Sequence, residues 1–433
     1  MIAFKKSIER LRHGISHISS LRTPDNFKQL ETCHVLLFCH DVDRPINLYG
    51  RAYSPLLDSV REDFESRGLV CRSVAHFGSS LTGIKGFGEP VSFNRGYIWY
   101  LLKQMVVNLL GMAAKFKNNP FVYMLEKTGA QLVVTIGSPT ELASAARSKG
   151  VFHVELLHGI GYAFVPWGWD KLSLTYLPQG ILSLDEVSTK SFTALKAKGI
   201  DIYTIPHPFL KKFILDRPRS LPSDWKISTK YDNKYFKRIL VSLTWGYAGD
   251  HGSEIQLSNI LSNGLFYDEV KQLVSEDPNI FWHFRFHPVQ LRKPRYKNLL
   301  KFMDDFVLSH PNSEWREASI VPFPNIVSQC DGNIGMASMS CYDAAAMGVP
   351  SLMLCPTIRK GGIYQDYFTD LENEGYVTKA KVTKEILRNW VHKTHKIQSR
   401  LSNLDDDASW EDSVKWMLQK SGLEDRIKRQ DIK

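Results

Sequence analysis

The sequence predicts an α/β protein made of two doubly wound, Rossmann-like domains that face each other. The first observation is its length, because 433 residues exceed the roughly 250–300 residues that one hydrophobic core usually serves. The second is that short apolar runs alternate with helical segments, which is typical of a parallel sheet covered on both faces. The third is a stretch rich in Pro, Lys and Arg at 207–237, which interrupts the alternation as an interdomain linker does.

The alternating runs predict individual elements in both halves. The strands predicted in the first half are 34–39, 69–75, 131–137, 151–159, 180–185 and 201–206, with helices at 96–127, 138–149 and 186–198. The strands predicted in the second half are 238–246, 279–288, 318–323, 332–337 and 350–355, followed by helices over the last fifty residues. The resulting segments are a basic N-terminal helix (1–30), a first domain (31–206), the linker (207–237), a second domain (238–383) and C-terminal helices (384–433).

Composition excludes several classes of protein. Hydrophobic residues make up 43% of the chain, which is too apolar for a disordered protein. The six cysteines form no CxxC pair, so we expect reduced thiols rather than disulfides or a zinc site. Uncharged apolar runs such as 129–136 are far shorter than the ~20 residues that span a bilayer, and the first twenty residues lack a signal-peptide core. We therefore expect a cytoplasmic protein.

The charge of the chain favours anionic partners. Its 55 Lys and Arg exceed its 45 Asp and Glu, which gives a net charge of +10 and suits nucleic acid, anionic lipid or phosphorylated small molecules. Basic residues are dense at 1–22 and at 206–238, where they would suit docking at the inner face of the cytoplasmic membrane. A solvated surface helix is the alternative for 1–22. No zinc-finger, RRM-like or KH-like pattern is present, so we expect no nucleic-acid partner.

Ligands of doubly wound sheets bind beyond the carboxyl ends of the strands, so the residues that follow each strand are the candidates. Thr244 and Gly246 lie in a turn whose backbone N–H groups can approach an anion closely, although a simple turn explains them as well. Arg285 and His287 end the run 279–288, where a guanidinium and an imidazole suit a phosphate. Pro288 stops that strand, and a solvated histidine beside it is the alternative.

A second group of candidates follows the predicted strand 332–337. Ser338 and Ser340 precede an apolar helix, and hydroxyls at a helix start are suited either to capping the helix or to binding phosphate. Asp343 lies in the first turn of that helix, where it can cap the helix or accept hydrogen bonds from a sugar or ribose.

The first half offers candidates for acid–base chemistry. His158 lies between a strand and two glycines, where it can act as a general base near neutral pH, with a packed or solvated turn histidine as the alternative. Asp41 and Asp43 follow the strand 34–39 and can act as the base or bind acceptor hydroxyls. Their Asp-x-Asp spacing also suits a metal, but two carboxylates alone are weak evidence and surface charge is the simpler interpretation.

The motifs of the second half resemble a known group of enzymes. Arg285–Pro288, followed about fifty residues later by Ser338–Asp343 and then by Gly348-Val349-Pro350, is similar to the two-motif signature of bacterial CDP-glycerol glycerophosphotransferases. The His-Pro and serine motifs also resemble those of bacterial sialyl-, polysialyl- and Kdo transferases, which use CMP-sugars. His158-Gly159 is similar to the His-Gly of the glycerophosphotransferases. The chain departs from the pattern at Met339, which separates the serines, and after His158, where Thr-Pro is usual.

This resemblance implies a GT-B glycosyltransferase whose C-terminal helices cross back to the first domain. It implies an inverting transfer without metal or cofactor, in which Arg285, His287, Ser338 and Ser340 hold the donor phosphate. The base would be His158, with Asp41 or Asp43 as the alternative. The expected donor is a CMP- or CDP-linked sugar or polyol phosphate, and the expected acceptor is a growing bacterial capsule or lipopolysaccharide chain or a lipid-linked glycan. A UDP-sugar-dependent glycosyltransferase, a nucleotide-sugar epimerase or hydrolase, and a non-catalytic basic scaffold or nucleic-acid-binding protein remain as alternatives.

Overall fold

The structure is a computed structural model of the chain, and it describes residues 26–109, 119–162, 164–210, 225, 234–247, 260–400 and 406–425. These residues form two compact units. The first unit contains the described residues up to 210 and those from 406 onward, and the second contains those from 225 to 400. Apart from 26–30, the predicted basic N-terminal helix lies outside the described residues, as does most of the predicted linker.

The first unit is built on a six-stranded parallel sheet. The strands of this unit are β1 (Val35–Cys39), β2 (Ile46–Leu48), β3 (Arg51–Tyr53), β4 (Cys71–Ala75), β5 (Leu132–Thr135), β6 (Phe152–Leu156), β7 (Gly180–Ser183) and β8 (Asp201–Thr204). Strands β2 and β3 form a separate antiparallel pair, and the other six form the main sheet. Its helices are α1 (Leu57–Ser66), α2 (Asn94–Leu109), α3 (Pro120–Thr128), α4 (Thr140–Lys149), α5 (Glu186–Ser191) and α6 (Thr193–Lys196). The strand order in the main sheet is β4-β1-β5-β6-β7-β8.

The second unit contains another six-stranded parallel sheet. Its strands are β9 (Lys237–Ser242), β10 (Ile280–Arg285), β11 (Ser313–Glu314), β12 (Gly332–Gly335), β13 (Ser351–Met353) and β14 (Val377–Lys379). Its helices are α7 (Asp268–Glu276), α8 (Pro288–Arg292), α9 (Lys297–Ser309), α10 (Arg316–Ile320), α11 (Phe323–Val327), α12 (Ser340–Ala346), α13 (Thr369–Asn373) and α14 (Lys384–Lys393). The order β11-β10-β9-β12-β13-β14 is the strand order of the Rossmann fold.

Both faces of the first sheet are buried, which explains why its strands are continuous apolar runs. Alternate residues of β1 enter two different apolar clusters, Val35 and Leu37 on one side and Leu36 and Phe38 on the other. Helix α1 covers the first side, and α3 and α4 cover the second. Within the part of the chain that the structure describes, no helix has the length and apolar character needed to cross a membrane.

The strand predicted at 318–323 is wrong, because this segment forms the short helices α10 and α11. The carboxylate of Glu314 accepts hydrogen bonds from the backbone N–H groups of Glu317 (2.9 Å) and Ala318 (3.2 Å), which starts a helical turn that the apolar pattern does not reveal. The strand in this part of the sheet is β11, which has only two residues. The helical stretch predicted at 96–127 contains two helices in the described residues, α2 and α3, since Asn119 is extended and caps α3.

The last described helix, α15 (Asp406–Ser421), packs on the sheet of the first unit. The ring of Trp416 lies against Gly180, where an added Cβ atom would come within 2.2 Å of a ring carbon. The centroids of the Trp416 and Tyr203 rings are 4.5 Å apart. Arg67 of the first unit pairs with Glu411 of this helix at 2.6 Å. The C-terminal chain therefore returns to the first unit, whereas α14 belongs to the second.

The contact between Gly180 and Trp416 predicts how the C-terminal helix stabilises the first unit. Trp416→Ala should lower the free energy of unfolding by about 3–5 kcal/mol, because it removes a buried aromatic ring. Gly180→Ala should also destabilise, because the added methyl group meets that ring. Urea denaturation of both variants and of the double variant measures the coupling between them. We expect the double variant to be more stable than the sum of the single effects implies, and additive losses would contradict this packing.

Candidate functional site

The switch point of the second sheet lies between β9 and β12, where the strand order reverses. These strands pair in parallel with Ser242 opposite Gly335, so the loops that follow them leave the sheet side by side. Thr244 follows β9, and Ser338 follows β12, as the sequence predicted. Gly246 has φ +103°, a backbone conformation that residues with a side chain rarely adopt.

Two hydroxyl groups at this switch point have no hydrogen-bond partner among the described residues. They are Thr244 Oγ1 and Ser340 Oγ, and both atoms are buried. Ser338 differs from them, because its Oγ accepts a hydrogen bond from the backbone N–H of Ser340 at 3.3 Å. An unsatisfied buried hydroxyl lowers the stability of the folded protein by about 1–3 kcal/mol. Two such hydroxyls, in the segments that follow two neighbouring strands, therefore call for a functional explanation.

His287 has a fixed orientation and a defined proton position. Its ring Nδ1 accepts a hydrogen bond from the backbone N–H of Val289 (3.3 Å), and the backbone N–H of His287 donates to Gln290 Oε1 (3.0 Å), so His287 caps α8, which begins at Pro288. Burial, aided by the charge of Arg285, lowers the pKa of His287 to about 4. The ring is therefore neutral at pH 7, and its proton is on Nε2, which makes Nε2–H a hydrogen-bond donor.

Arg285 holds the neighbouring helices together. Its Nη1 donates hydrogen bonds to the carbonyl oxygens of Ala318 and Val321 (2.6 Å to the latter), at the end of α10. Burial lowers the pKa of Arg285 to about 10 and raises the pKa of Asp343 to about 7, while each charge favours the charged form of the other. This bracing role was not indicated by the sequence.

A cavity of about 670 Å³ opens at the same edge of the second sheet, beyond β13 and β14. It is lined by Pro356, Arg359, Lys360, Gly361, Gly362, Gln365, Asp366, Glu372 and Lys379. The hydroxyl of Tyr247, in the loop after β9, donates to Cys355 Sγ at 3.2 Å and thereby joins the switch-point loop to the loop after β13. The volume of the cavity is in the range of small-molecule sites. The sequence analysis did not single out its basic residues, Arg359, Lys360 and Lys379.

The switch point of the first sheet lies between β1 and β5, and Asp41 and Asp43 follow β1. Asp41 is occupied by its surroundings, since its carboxylate accepts hydrogen bonds from Ser79 Oγ and from the N–H and Oγ of Ser80 (2.8 and 3.1 Å). Asp43 is different, because burial raises its pKa to about 7. Among the described residues, no three His, Cys, Asp or Glu side chains are grouped as ligands for a metal ion.

Glu155 is a buried carboxylate at this switch point that sequence reasoning missed. It lies in β6 and accepts hydrogen bonds from Thr135 Oγ1 and from the N–H groups of Gly137 (2.5 Å) and Ser138 (3.3 Å), which fixes the loop after β5. Burial raises its pKa to about 8, and the charge of Asp43 acts in the same direction. The signal in the sequence was a carboxylate that, together with His153, interrupts a strand whose other residues are apolar.

His158 lies in the loop that follows β6, as predicted. Part of the ring is open to solvent, and its centroid lies 5.9 Å from that of the Trp167 indole. The protein around it lowers its pKa by partial desolvation, so the imidazole is neutral at pH 7 and can accept a proton. Its charged form would lower the pKa of His40, the residue after β1, so the two histidines lie near each other. The structure thus gathers His158 and Asp43 at one edge of the first sheet.

The structure is similar to solved two-domain nucleotide-sugar enzymes of the GT-B fold. S. aureus MnaA in its co-structure with UDP aligns with a TM-score of 0.52 at 12% identity, over 90% of this chain and 97% of that chain. UDP-GlcNAc 2-epimerase from Methanocaldococcus jannaschii aligns at 0.50 and 12%, over 84% and 94%. UDP-N-acetylglucosamine 2-epimerase from Rickettsia bellii aligns at 0.50 and 12%, over 89% and 96%.

These likenesses establish the GT-B fold, which confirms the predicted fold class of two Rossmann-like domains with a returning C-terminal helix. No protein-family model matches the sequence, and no curated protein matches it. The fold is therefore shown by structure alone.

The raised pKa of Glu155 predicts a pH-dependent loss of stability. Folding raises the pKa of this carboxyl group from 4.5 to about 8. Between pH 4.5 and about pH 8 the group is therefore protonated in the folded state and ionised in the unfolded state. Its contribution to stability is therefore complete below about pH 4.5 and disappears as the pH rises to about 8. The difference in unfolding free energy between the wild type and Glu155→Gln should shrink or reverse over this range in denaturation curves. Exposed Glu186→Gln is the control, and a flat difference for Glu155→Gln would contradict the assignment.

Proposed function

We propose that this protein is a GT-B glycosyltransferase that transfers a sugar or polyol phosphate from a nucleotide-activated donor to a hydroxyl of an acceptor glycan. The observation that carries the proposal is the pair of partnerless buried hydroxyls, Thr244 and Ser340, at the switch point of the second sheet. With the Nε2–H of His287 they supply three neutral donors, which suit the oxygens of a phosphate. UDP bound to MnaA, and the UDP-GlcNAc named for two epimerases, are ligands of the same chemical kind on the same fold.

The donor side would act by stabilising the leaving group. When the bond between the transferred group and the phosphate breaks, negative charge develops on the phosphate oxygen, and hydrogen-bond donors fixed in advance stabilise it. His287 meets this requirement because its cap on α8 holds the ring in place. We place Thr244, Gly246, His287, Ser338 and Ser340 at the donor phosphate, with Arg285 and Asp343 bracing them.

The acceptor side would supply the base. With a sugar donor, the acceptor oxygen attacks the anomeric carbon from the face opposite the leaving phosphate, its proton passes to the base, and the configuration inverts. With a polyol-phosphate donor, the acceptor oxygen attacks the phosphorus of the transferred phosphate, its proton passes to the same base, and the nucleoside monophosphate leaves. We favour His158, which is neutral at pH 7, over Asp43. Asp41 is the weakest candidate because both its carboxylate oxygens already accept hydrogen bonds. The proposed reaction uses no metal and no cofactor.

The resemblance of the sequence motifs supports a CMP- or CDP-linked donor, and the structural neighbours support a UDP-linked one. The acceptor we propose is a growing bacterial surface polysaccharide or its lipid-linked precursor. The net charge of +10 and the basic segments at 1–22 and 206–238 support work at the anionic inner face of the cytoplasmic membrane.

A nucleotide-sugar epimerase is the second candidate, because two of the aligned structures are UDP-GlcNAc 2-epimerases. Transfer and epimerisation differ in whether an acceptor is needed. Proton NMR of UDP-GlcNAc incubated with the protein and no acceptor would show a change of configuration at C2 for an epimerase, and no such change for a transferase.

The partnerless hydroxyl of Thr244 makes a two-sided prediction. Thr244→Val removes an unsatisfied buried polar group at nearly constant shape, so the melting temperature without ligand should stay equal or rise. The same change should weaken nucleotide binding about tenfold in calorimetry, because one phosphate contact is lost. Ser242→Ala is the matched control, since the Ser242 hydroxyl donates to Asn333 Oδ1 at 2.7 Å and its loss should lower the melting temperature. Unchanged nucleotide affinity in Thr244→Val would contradict the proposed donor site.

The two candidate bases predict different pH–rate profiles. If His158 is the base, kcat should rise with pH through a pKa below 6.5, because its pKa is lowered and the neutral ring is the active form. If Asp43 is the base, the rise should be centred near pH 7. His158→Ala should keep nucleotide binding and lower kcat by about 100-fold or more, while Asp43→Asn should leave the rise at low pH in place. A wild-type rate in His158→Ala would transfer the role to Asp43.

A further inference from the structure

The loop between β6 and β7 carries a tryptophan that is turned toward solvent. Trp169 is buried in the apolar cluster of this loop, and Tyr162 packs against that cluster. Trp167, two residues before Trp169, is outside the cluster and 52% exposed. Its ring centroid lies 5.0 Å from that of Trp169 and 5.9 Å from that of His158.

The backbone at this tryptophan is held in an unfavourable conformation. Trp167 has φ +56° and ψ +15°, in the left-handed region where a bulky side chain is strained, and Gly168 follows at φ +68°. Glycine at position 167 would adopt the same backbone freely. Half of the indole is exposed, so its contacts with the rings of Trp169, Tyr162 and His158 use only part of its surface.

Hydrogen bonds fix the loop on both sides of Trp167. Before it, Asp185 Oδ1 accepts from the N–H of Gly161 (3.2 Å), and Ser188 Oγ accepts from the N–H of Tyr162 (3.0 Å). After it, Lys198 Nζ donates to the carbonyl oxygens of Asp170 (2.6 Å) and Leu172 (3.0 Å). These hydrogen bonds hold residues on either side of the exposed indole in place before any ligand arrives.

We propose that the indole of Trp167 is a stacking platform for a pyranose ring of the acceptor, next to His158. This inference rests on the proposed function and specifies its acceptor as a saccharide whose ring has a face of C–H bonds. The negatively polarised face of an indole attracts such hydrogens, while the hydroxyls at the sugar's edge remain free to hydrogen-bond. With 5.9 Å between the centroids of Trp167 and His158, a sugar on the platform has a hydroxyl within reach of the imidazole.

The surroundings of Trp167 favour a sugar over a lipid. Within this loop Asp170 and Lys171 are charged and exposed, and Phe164, Leu174 and Tyr176 are exposed as well, at 65%, 43% and 47%. Asp170 and Lys171 interrupt the exposed apolar side chains of the loop along the chain, whereas an acyl chain needs a continuous apolar groove.

Saturation-transfer NMR on the full chain tests the platform without any turnover. The probes are the methyl β-pyranosides of glucose, galactose and N-acetylglucosamine. At least one should receive saturation mainly at H1, H3 and H5, which share one ring face in β-glucosides. Trp167→Gly should abolish the signal while the melting temperature stays equal or rises, and Trp167→Phe should restore part of it. Trp99→Ala, which removes a 65% exposed tryptophan elsewhere in the first unit, should leave it unchanged.

The outcomes separate this inference from the proposed function. Nucleotide binding in calorimetry together with no saturation of any pyranoside, or with the same saturation in Trp167→Gly, overturns the platform and leaves the transferase proposal in place. Saturation that depends on Trp167 with no binding of CMP, CDP, UDP or GDP overturns the transferase proposal and, with it, the acceptor role. Loss of vesicle binding in Trp167→Gly without any sugar signal overturns the platform in favour of a lipid contact. With a working donor, Trp167→Gly should raise the acceptor KM about tenfold and leave the donor KM unchanged.

Discussion

All six strands of each main sheet run parallel, and this constraint places every loop that follows a strand at one edge of its sheet. In the second unit a buried polar chain holds the central strands in register below that edge. Ser242 Oγ donates to Asn333 Oδ1 at 2.7 Å, and Asn333 Nδ2 donates to Ser351 Oγ at 3.0 Å, which links β9, β12 and β13. The position of Thr244, two residues beyond Ser242, follows directly from this register. The hydroxyl groups at the switch point are therefore positioned by the interior of the sheet.

The two units offer different chemistry at their switch points. In the second unit the available groups are neutral donors, the hydroxyls of Thr244 and Ser340 and the Nε2–H of His287, which can meet a phosphate without bringing another buried charge. In the first unit the groups titrate near neutrality, because burial raises the pKa values of Asp43 and Glu155. The proposed transfer reaction would use the first kind of group to bind phosphate and the second kind to take up a proton.

The sequence predicted the buried strands well, because strands covered on both faces must be continuous apolar runs such as 34–39 and 131–137. It failed at 318–323, since the Glu314 carboxylate accepts a hydrogen bond from the N–H of Ala318 and Arg285, distant in the chain, donates to the carbonyl oxygen of Val321, and these bonds hold an apolar run as two short helices. The candidate residues that follow strands could be placed at one edge of each sheet because the parallel topology alone puts them there. The role of Glu155 and the outward turn of Trp167 were not predicted, because both depend on tertiary contacts. Glu155 accepts hydrogen bonds from the amides of the loop after β5, and Trp167 lies in the β6–β7 loop, which Lys198 anchors.

The most direct test of the account is a crystal structure with a bound nucleotide, using whichever of CMP, CDP, UDP and GDP gives the largest thermal shift. We predict phosphate oxygens at hydrogen-bond distance, about 2.7–3.2 Å, from Thr244 Oγ1, Ser340 Oγ and His287 Nε2. A phosphate bound elsewhere, with Thr244 Oγ1 and Ser340 Oγ still lacking partners, would contradict the assignment of the donor site to the switch point of the second sheet.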